Sequence, residues 1–184
     1  MEKEMFEFSN RVELSLANIK TIKEAIDVLE NEYKNDVKRF LKYIENNLKN
    51  EFADIRSWET EVGDIEIYFY PKEWKVLNDD DEIAIAIFFN KKPYKSNPFV
   101  GLYVPVEWPK CEIFNDKLNK ALTKDFMDDW GEQRNDYQIS KSLEYENYSN
   151  GDSFDTKGFC NKIIKLINEI VKIKPTIDKI LNEI

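Results

Sequence analysis

The 184 residues include no histidine, which removes the side chain most used for proton transfer near neutral pH and the commonest protein metal ligand. Ser/His and Cys/His nucleophilic schemes go with it. The chemistry left to this chain rests on carboxylates, lysines and tyrosines. Its densest acid run is Asp79, Asp80, Asp81 and Glu82, and carboxylate oxygens are what hard cations such as calcium and magnesium take. A helix–loop–helix calcium loop would need alternating ligands, a glycine at its sixth position and a glutamate at its twelfth, a spacing this run lacks. Its plain reading is a solvated hairpin loop. Asp125, Asp128 and Asp129 recur at helical spacing just before Trp130, and their plain reading is the charged face of a helix.

A second constellation is Asp64 followed by Glu73, Trp74 and Lys75. An aspartate, a spacer and then Glu-x-Lys is a pattern that holds magnesium and supports an attacking water in metal-dependent nucleases. Glu73, however, follows Pro71 in what reads as a hairpin connection, not on a buried strand beside Asp64. A metal-dependent hydrolase using Asp64, Glu73 and Lys75 is the enzymatic alternative; the leading reading needs no cofactor. The rings of Trp58, Trp74, Trp108 and Trp130, with Tyr68, Tyr70, Tyr94 and Tyr103, are expected to be mostly core, with an exposed minority anchoring a partner. Stacking on bases would need a positive groove around them.

Charge argues against such a groove. The formal net charge is −9, and residues 51–150, with 12 basic and 21 acidic side chains, hold all of the excess. Nucleic acid selects clustered Lys and Arg that displace counterions from phosphate. This stretch repels a polyanion, so a partner recognised electrostatically would be basic. Cys111 and Cys160 are too few for a disulfide framework and have no metal-knuckle neighbours, so both are expected to be reduced and at least partly buried. The opening MEKEMFEF carries acids where a signal peptide has an apolar run. No stretch approaches the roughly 18 apolar residues of a membrane helix. A cytoplasmic protein without membrane contact is expected.

These residues must be positioned by a core, and 42% hydrophobic residues provide the apolar surface for one. The length suits a single domain over 1–184. Apolar residues from Ile22 to Leu48 recur at three and four, predicting a helix over 20–50, or two helices broken near 31–35. Thr21 and Glu24 have the spacing of a capping box at its start. Before it, Val12, Leu14 and Leu16 alternate, which fits a short strand or the end of an earlier helix. Alternation in Ile65 to Tyr70, the apolar run Glu82 to Phe89, and Phe99 to Val106 give three strands of an antiparallel meander over 62–106. Gly101 marks a bulge or a close approach, and Pro105 places the far end of the third strand at an edge. Helix is expected over 113–130, loop with one short strand near 137–143, and C-terminal helices over 159–184 interrupted at Lys174-Pro175. The fold class is α+β: a meander of three or more strands, with the long N-terminal helix and the C-terminal helices packed on the sheet.

The strand sequences IEIYFYPKEW, EIAIAIFFN and FVGLYVPV, followed by a helix with Leu118 and Leu122, span Ile65 to Leu122, about a third of the chain. This segment resembles the region downstream of the catalytic core in PD-(D/E)XK nuclease-like proteins of bacteria and phages. The upstream half, where that family keeps its catalytic residues, has no counterpart, so the resemblance implies no nuclease activity. It implies a prokaryotic or phage setting near nucleic-acid defence, as an accessory or decoy domain. Joined to the charge, the expected function is a non-enzymatic acidic interaction protein. It would dock on a basic, nucleic-acid-handling protein such as a CRISPR effector or other nuclease, as an inhibitor of anti-CRISPR or anti-restriction type or an accessory factor, and without binding nucleic acid itself. The expected contact residues are Asp79, Asp80, Asp81 and Glu82, with Asp125, Asp128, Asp129 and Trp130. An immunity-type module with a small specific protein partner is the remaining alternative.

Overall fold

Period-two alternation builds the centre of the molecule. A computed structural model describes residues 18–51, 58–77, 81–92, 96–130 and 136–184. In it β1 (Trp58–Val62), β2 (Glu66–Pro71), β5 (Ala84–Phe88), β6 (Phe99–Tyr103) and β7 (Tyr137–Ser142) form one antiparallel sheet in that order. The connection between β2 and β5 holds a short 3-10 turn and a two-stranded ladder of β3 (Lys75–Leu77) and β4 (Asp81–Glu82). Successive side chains of a strand point to opposite faces. Ile67, Phe69, Ile85, Ile87, Val100 and Leu102 therefore share one face, and all are buried.

Helices cover that face. The 33-residue α1 (Ile19–Glu51) packs on β1 and β2, and α4 (Thr156–Val171) packs on β5 and β6. Val37, Leu41, Ile44 and Leu48 supply the stripe of α1 that enters the core, and Ile163, Leu166, Ile167 and Ile170 that of α4. Asp155 caps α4 by accepting from the Gly158 N–H at 2.9 Å. Between them in sequence, α2 (Cys111–Ala121) packs against α5 (Lys174–Glu183), and α3 (Lys124–Trp130) lies on the edge strand β7. Trp74 ties the β2–β3 turn to α5 by donating its indole N–H to Asp178 at 2.8 Å. Cys111 and Cys160 are buried thiols. Among the described residues no helix is long and apolar enough to cross a membrane.

The architecture is the expected α+β arrangement, with differences that have physical causes. The helix α1 runs through 31–35 without a break and starts at Ile19, which puts Thr21 inside its first turn instead of at the cap. Residues 113–130 divide into α2 and α3, because Thr123 starts a new helix by accepting from the Phe126 N–H. Pro105 does not mark an edge: β6 ends at Tyr103 and is internal, with β7 paired on its far side. β1, which the sequence reading left out, forms a tight hairpin with β2, closed by Gly63 N–H to Glu66 O at 2.8 Å. Val12, Leu14, Leu16 and Tyr94 lie outside the described residues.

Candidate functional site: the acidic, tyrosine-lined sheet face

Where one face of the sheet carries the core, the other carries the charge and the phenols. Register sets Glu59 opposite Tyr70 and Glu61 opposite Tyr68 on β1 and β2, Tyr68 opposite Ala86, and Ala84 opposite Tyr103. Glu82 precedes Ala84 by two residues and shares its face. Ala84, Ala86 and Gly101 are buried and form a floor of small residues. The register shifts between Leu102 and Tyr103, so that Tyr103 pairs with Tyr137 while Leu102 pairs with Ile139. This bulge turns the Tyr137 ring onto the phenol face. There it meets Tyr103 at 5.8 Å and Phe99 at 4.7 Å between centroids, and its hydroxyl is hydrogen-bonded to that of Tyr68. Gly101 is the close approach this requires: a Cβ there would stand 3.1 Å from the Tyr137 ring.

The carboxylates around it are uneven in their partners. Glu61 accepts from the Tyr70 hydroxyl at 2.7 Å. Burial pushes Glu59 up, but Lys75 at 3.3 Å and Lys72 at 3.6 Å outweigh it and hold its carboxyl below the usual range. Glu82 is the reverse. Its side chain is buried and has no hydrogen-bond or ion-pair partner among the described residues. Burial, then the neighbouring Glu61 and Asp81, push its carboxyl up to about 7 against the weaker pull of Lys75. Burial, the bond to Glu61 and the charge of Glu82 raise the Tyr70 phenol well above its ordinary value, and burial with Asp81 nearby pushes Tyr103 up to about 12. These phenols stay neutral donors at any physiological pH.

Comparison with known proteins brings no relative. No protein-family model, curated protein or solved structure matches the chain.

The expected residues divide. Asp81 and Glu82 lie at this face, whereas Asp79 and Asp80 lie outside the described residues. The acids of α3 are elsewhere, against β7 at the opposite edge of the sheet from β1. Asp125 and Asp128 are exposed, and Asp129 is paired with Lys141, whose ammonium holds its carboxyl low. Trp130 is not available to a partner: its ring is in the core and its N–H goes to Glu169 at 3.2 Å. The two acid groups thus do not form one patch. Nor are Asp64, Glu73 and Lys75 brought together. Asp64 bridges Lys34 and Lys38, Glu73 bridges Lys174, and Lys75 bridges Glu59. Sequence reasoning missed Glu59, Glu61 and Glu66, although WETEV alternates as a strand does and would have placed both glutamates of β1 on one face.

Proposed function

We propose that this protein is a non-enzymatic interaction protein whose sheet face captures an arginine- or lysine-bearing segment of a basic, nucleic-acid-handling protein. One observation carries the reading: Glu82, only 7% exposed and without a partner among the described residues, sits beside the carboxylates of Glu61, Asp81 and Glu59. A carboxylate buried among carboxylates is short of a positive charge. A guanidinium supplies it, donates to two carboxylates at once and stacks on phenol rings such as Tyr68 and Tyr103. Phosphate would be repelled from the same face, which favours a protein partner over nucleic acid. Carboxylates spread along adjacent strands suit occupation of a basic channel in place of nucleic acid, and the resemblance of residues 65–122 to nuclease-associated proteins favours a nuclease or CRISPR effector as the owner of that channel. The protein would then act as an inhibitor or accessory factor in prokaryotic or phage defence.

Calorimetric titration with an arginine-rich peptide and with a basic nuclease domain tests this. Because an incoming cation favours ionised Glu82, affinity should rise between pH 6 and 8, with release of up to about one proton per complex below pH 7. The double variant Glu61→Gln/Glu82→Gln keeps an acceptor for Tyr70 and should bind at least about tenfold more weakly, roughly 1.4 kcal/mol or more. Equal binding by the variant, or preference for a DNA oligonucleotide over the peptide, would overturn the reading.

A further inference from the structure

The first half of α1 buries little of what it carries. Beyond the core stripe that starts at Val37, the same helix exposes Ile19, Ile22, Ile26 and Leu29 at 45%, 38%, 38% and 64%. Single exposed apolar residues are ordinary. These four are spaced three, four and three apart, and Tyr33 follows after four more, which is the a/d repeat of a coiled-coil seam. Such a repeat fits another helix. Of the positions that flank this seam, Lys23 is basic and Glu30 and Glu32 are acidic, while Glu24, Asp27 and Lys34 fall at outer positions of the repeat. Two copies side by side in parallel would set Lys23 beside Asn18 of the partner subunit and Glu30 beside Ala25 of the partner subunit, with no opposite charges paired. In the antiparallel register that places Ile26 against Leu29 of the partner subunit and Ile22 against Tyr33 of the partner subunit, Lys23 flanks Glu30 of the partner subunit, adding a second cation to a carboxylate that Lys92 of its own chain holds at 2.9 Å.

The stripe ends beside a cavity. At the inner end of the stripe an open aromatic cleft of about 730 Å³ is lined by Tyr33, Phe40, Phe89, Tyr145, Phe154 and Phe159. Tyr33 and Tyr145 share a hydroxyl hydrogen bond at 2.8 Å on its wall. An antiparallel partner carries its own Ile19 and Ile22 to the level of Tyr33 and Asp36, at the mouth of this cleft. We infer that two copies of the chain pair through the N-terminal halves of α1 as a short antiparallel coiled coil, each seating Ile19 and Ile22 at the aromatic cleft of the other. The helix is already formed in each copy, so pairing does not bear the nucleation penalty of an isolated short helix.

Sedimentation equilibrium of the full chain from about 1 to about 100 µM, a range that resolves micromolar association, should give a monomer–dimer equilibrium. Ile26→Glu/Leu29→Glu should weaken it at least tenfold, with an unfolding midpoint equal to that of the parent chain at concentrations where both are monomeric, since both side chains are exposed. Glu61→Gln/Glu82→Gln should leave it intact, which separates this interface from the sheet face. Under mild oxidation, Ile26→Cys chains mixed with Leu29→Cys chains should cross-link to each other faster than to their own kind. A monomer at every concentration would overturn the inference, as would a dimer indifferent to Ile26→Glu/Leu29→Glu, a dimer lost on deletion of residues 1–17 with the stripe intact, or preferential 26-to-26 cross-linking.

Discussion

Glu82 is the residue on which charge and packing disagree most. Its carboxyl in the folded chain is pushed up to about 7 from an ordinary 4.5, so between those values the folded state holds a proton that the unfolded chain has released. Stability should fall as pH rises through that window and level off above it. Glu82→Gln should flatten the slope and make the protein more stable at pH 8 by about 1–2 kcal/mol, discounted for the water that reaches the site. Urea unfolding of both chains across pH 4 to 8 measures it, and parallel curves would remove Glu82 as the cause. The lowered carboxyls, such as Asp64, Asp129 and Glu183, act in the other direction and only in acid, where their stabilisation is lost as pH falls. Gly101 is a second residue fixed by the site. A Cβ there would meet Ile139 O at 2.7 Å as well as the Tyr137 ring, and the carbonyl cannot retreat without spoiling the β6–β7 pairing. Gly101→Ala should therefore cost about 1–3 kcal/mol in urea unfolding, far more than at an open strand position.

At the scale of elements, what the sequence made legible was period. Ile67 and Phe69 alternate with Tyr68 and Tyr70, so β2 declares both its core face and its phenol face; the stripe of α1 is as plain, down to Leu48. Two things escaped. β1 is five residues long, too short to stand out from its polar surroundings, and so the glutamates opposite Tyr68 and Tyr70 were not seen as partners. The bulge in β7 escaped because parity along Tyr137 to Ser142 assigns Tyr137 to the core face, and only pairing with β6 reveals the slip. The site depends on that long-range register, which no local pattern encodes. The same contrast predicts a gradient along α1. Amides around Leu41 to Leu48 lie over the core, while those of residues 22–30 lie on the exposed overhang, so hydrogen exchange should be slowest at 41–48 and faster by orders of magnitude at 22–30 in dilute solution. At the other end of the fold, α4 relies on one cap. Asp155→Ala should cost about 0.5–2 kcal/mol in thermal or urea unfolding.

At the scale of the whole molecule the acids fall into separate groups with different counterions. Glu59, Glu61, Glu66, Asp81 and Glu82 gather at the phenol face, and residues 151–184, which contain α4 and α5, carry six basic and five acidic side chains. Lys162 and Lys165 add to Lys141 in lowering Asp129, which balances the acids of α3 within their own neighbourhood. Among the described residues, the acids at the sheet face have Lys72 and Lys75, near Glu59, as counterweight. A field organised in this way acts before contact: it orients the molecule as a basic partner approaches, and it is screened over about 8 Å at physiological salt. The proposed complex should therefore form faster at low ionic strength, with the association rate falling roughly tenfold or more between 0.02 and 0.3 M NaCl. The dissociation rate should change much less, because the cation held at Glu82 is shielded from solvent ions by the surrounding rings. Stopped-flow mixing with the basic nuclease domain separates the two rates. A salt effect confined to dissociation would mean that the acids act only as local contacts and that the field around the sheet face contributes nothing to recognition.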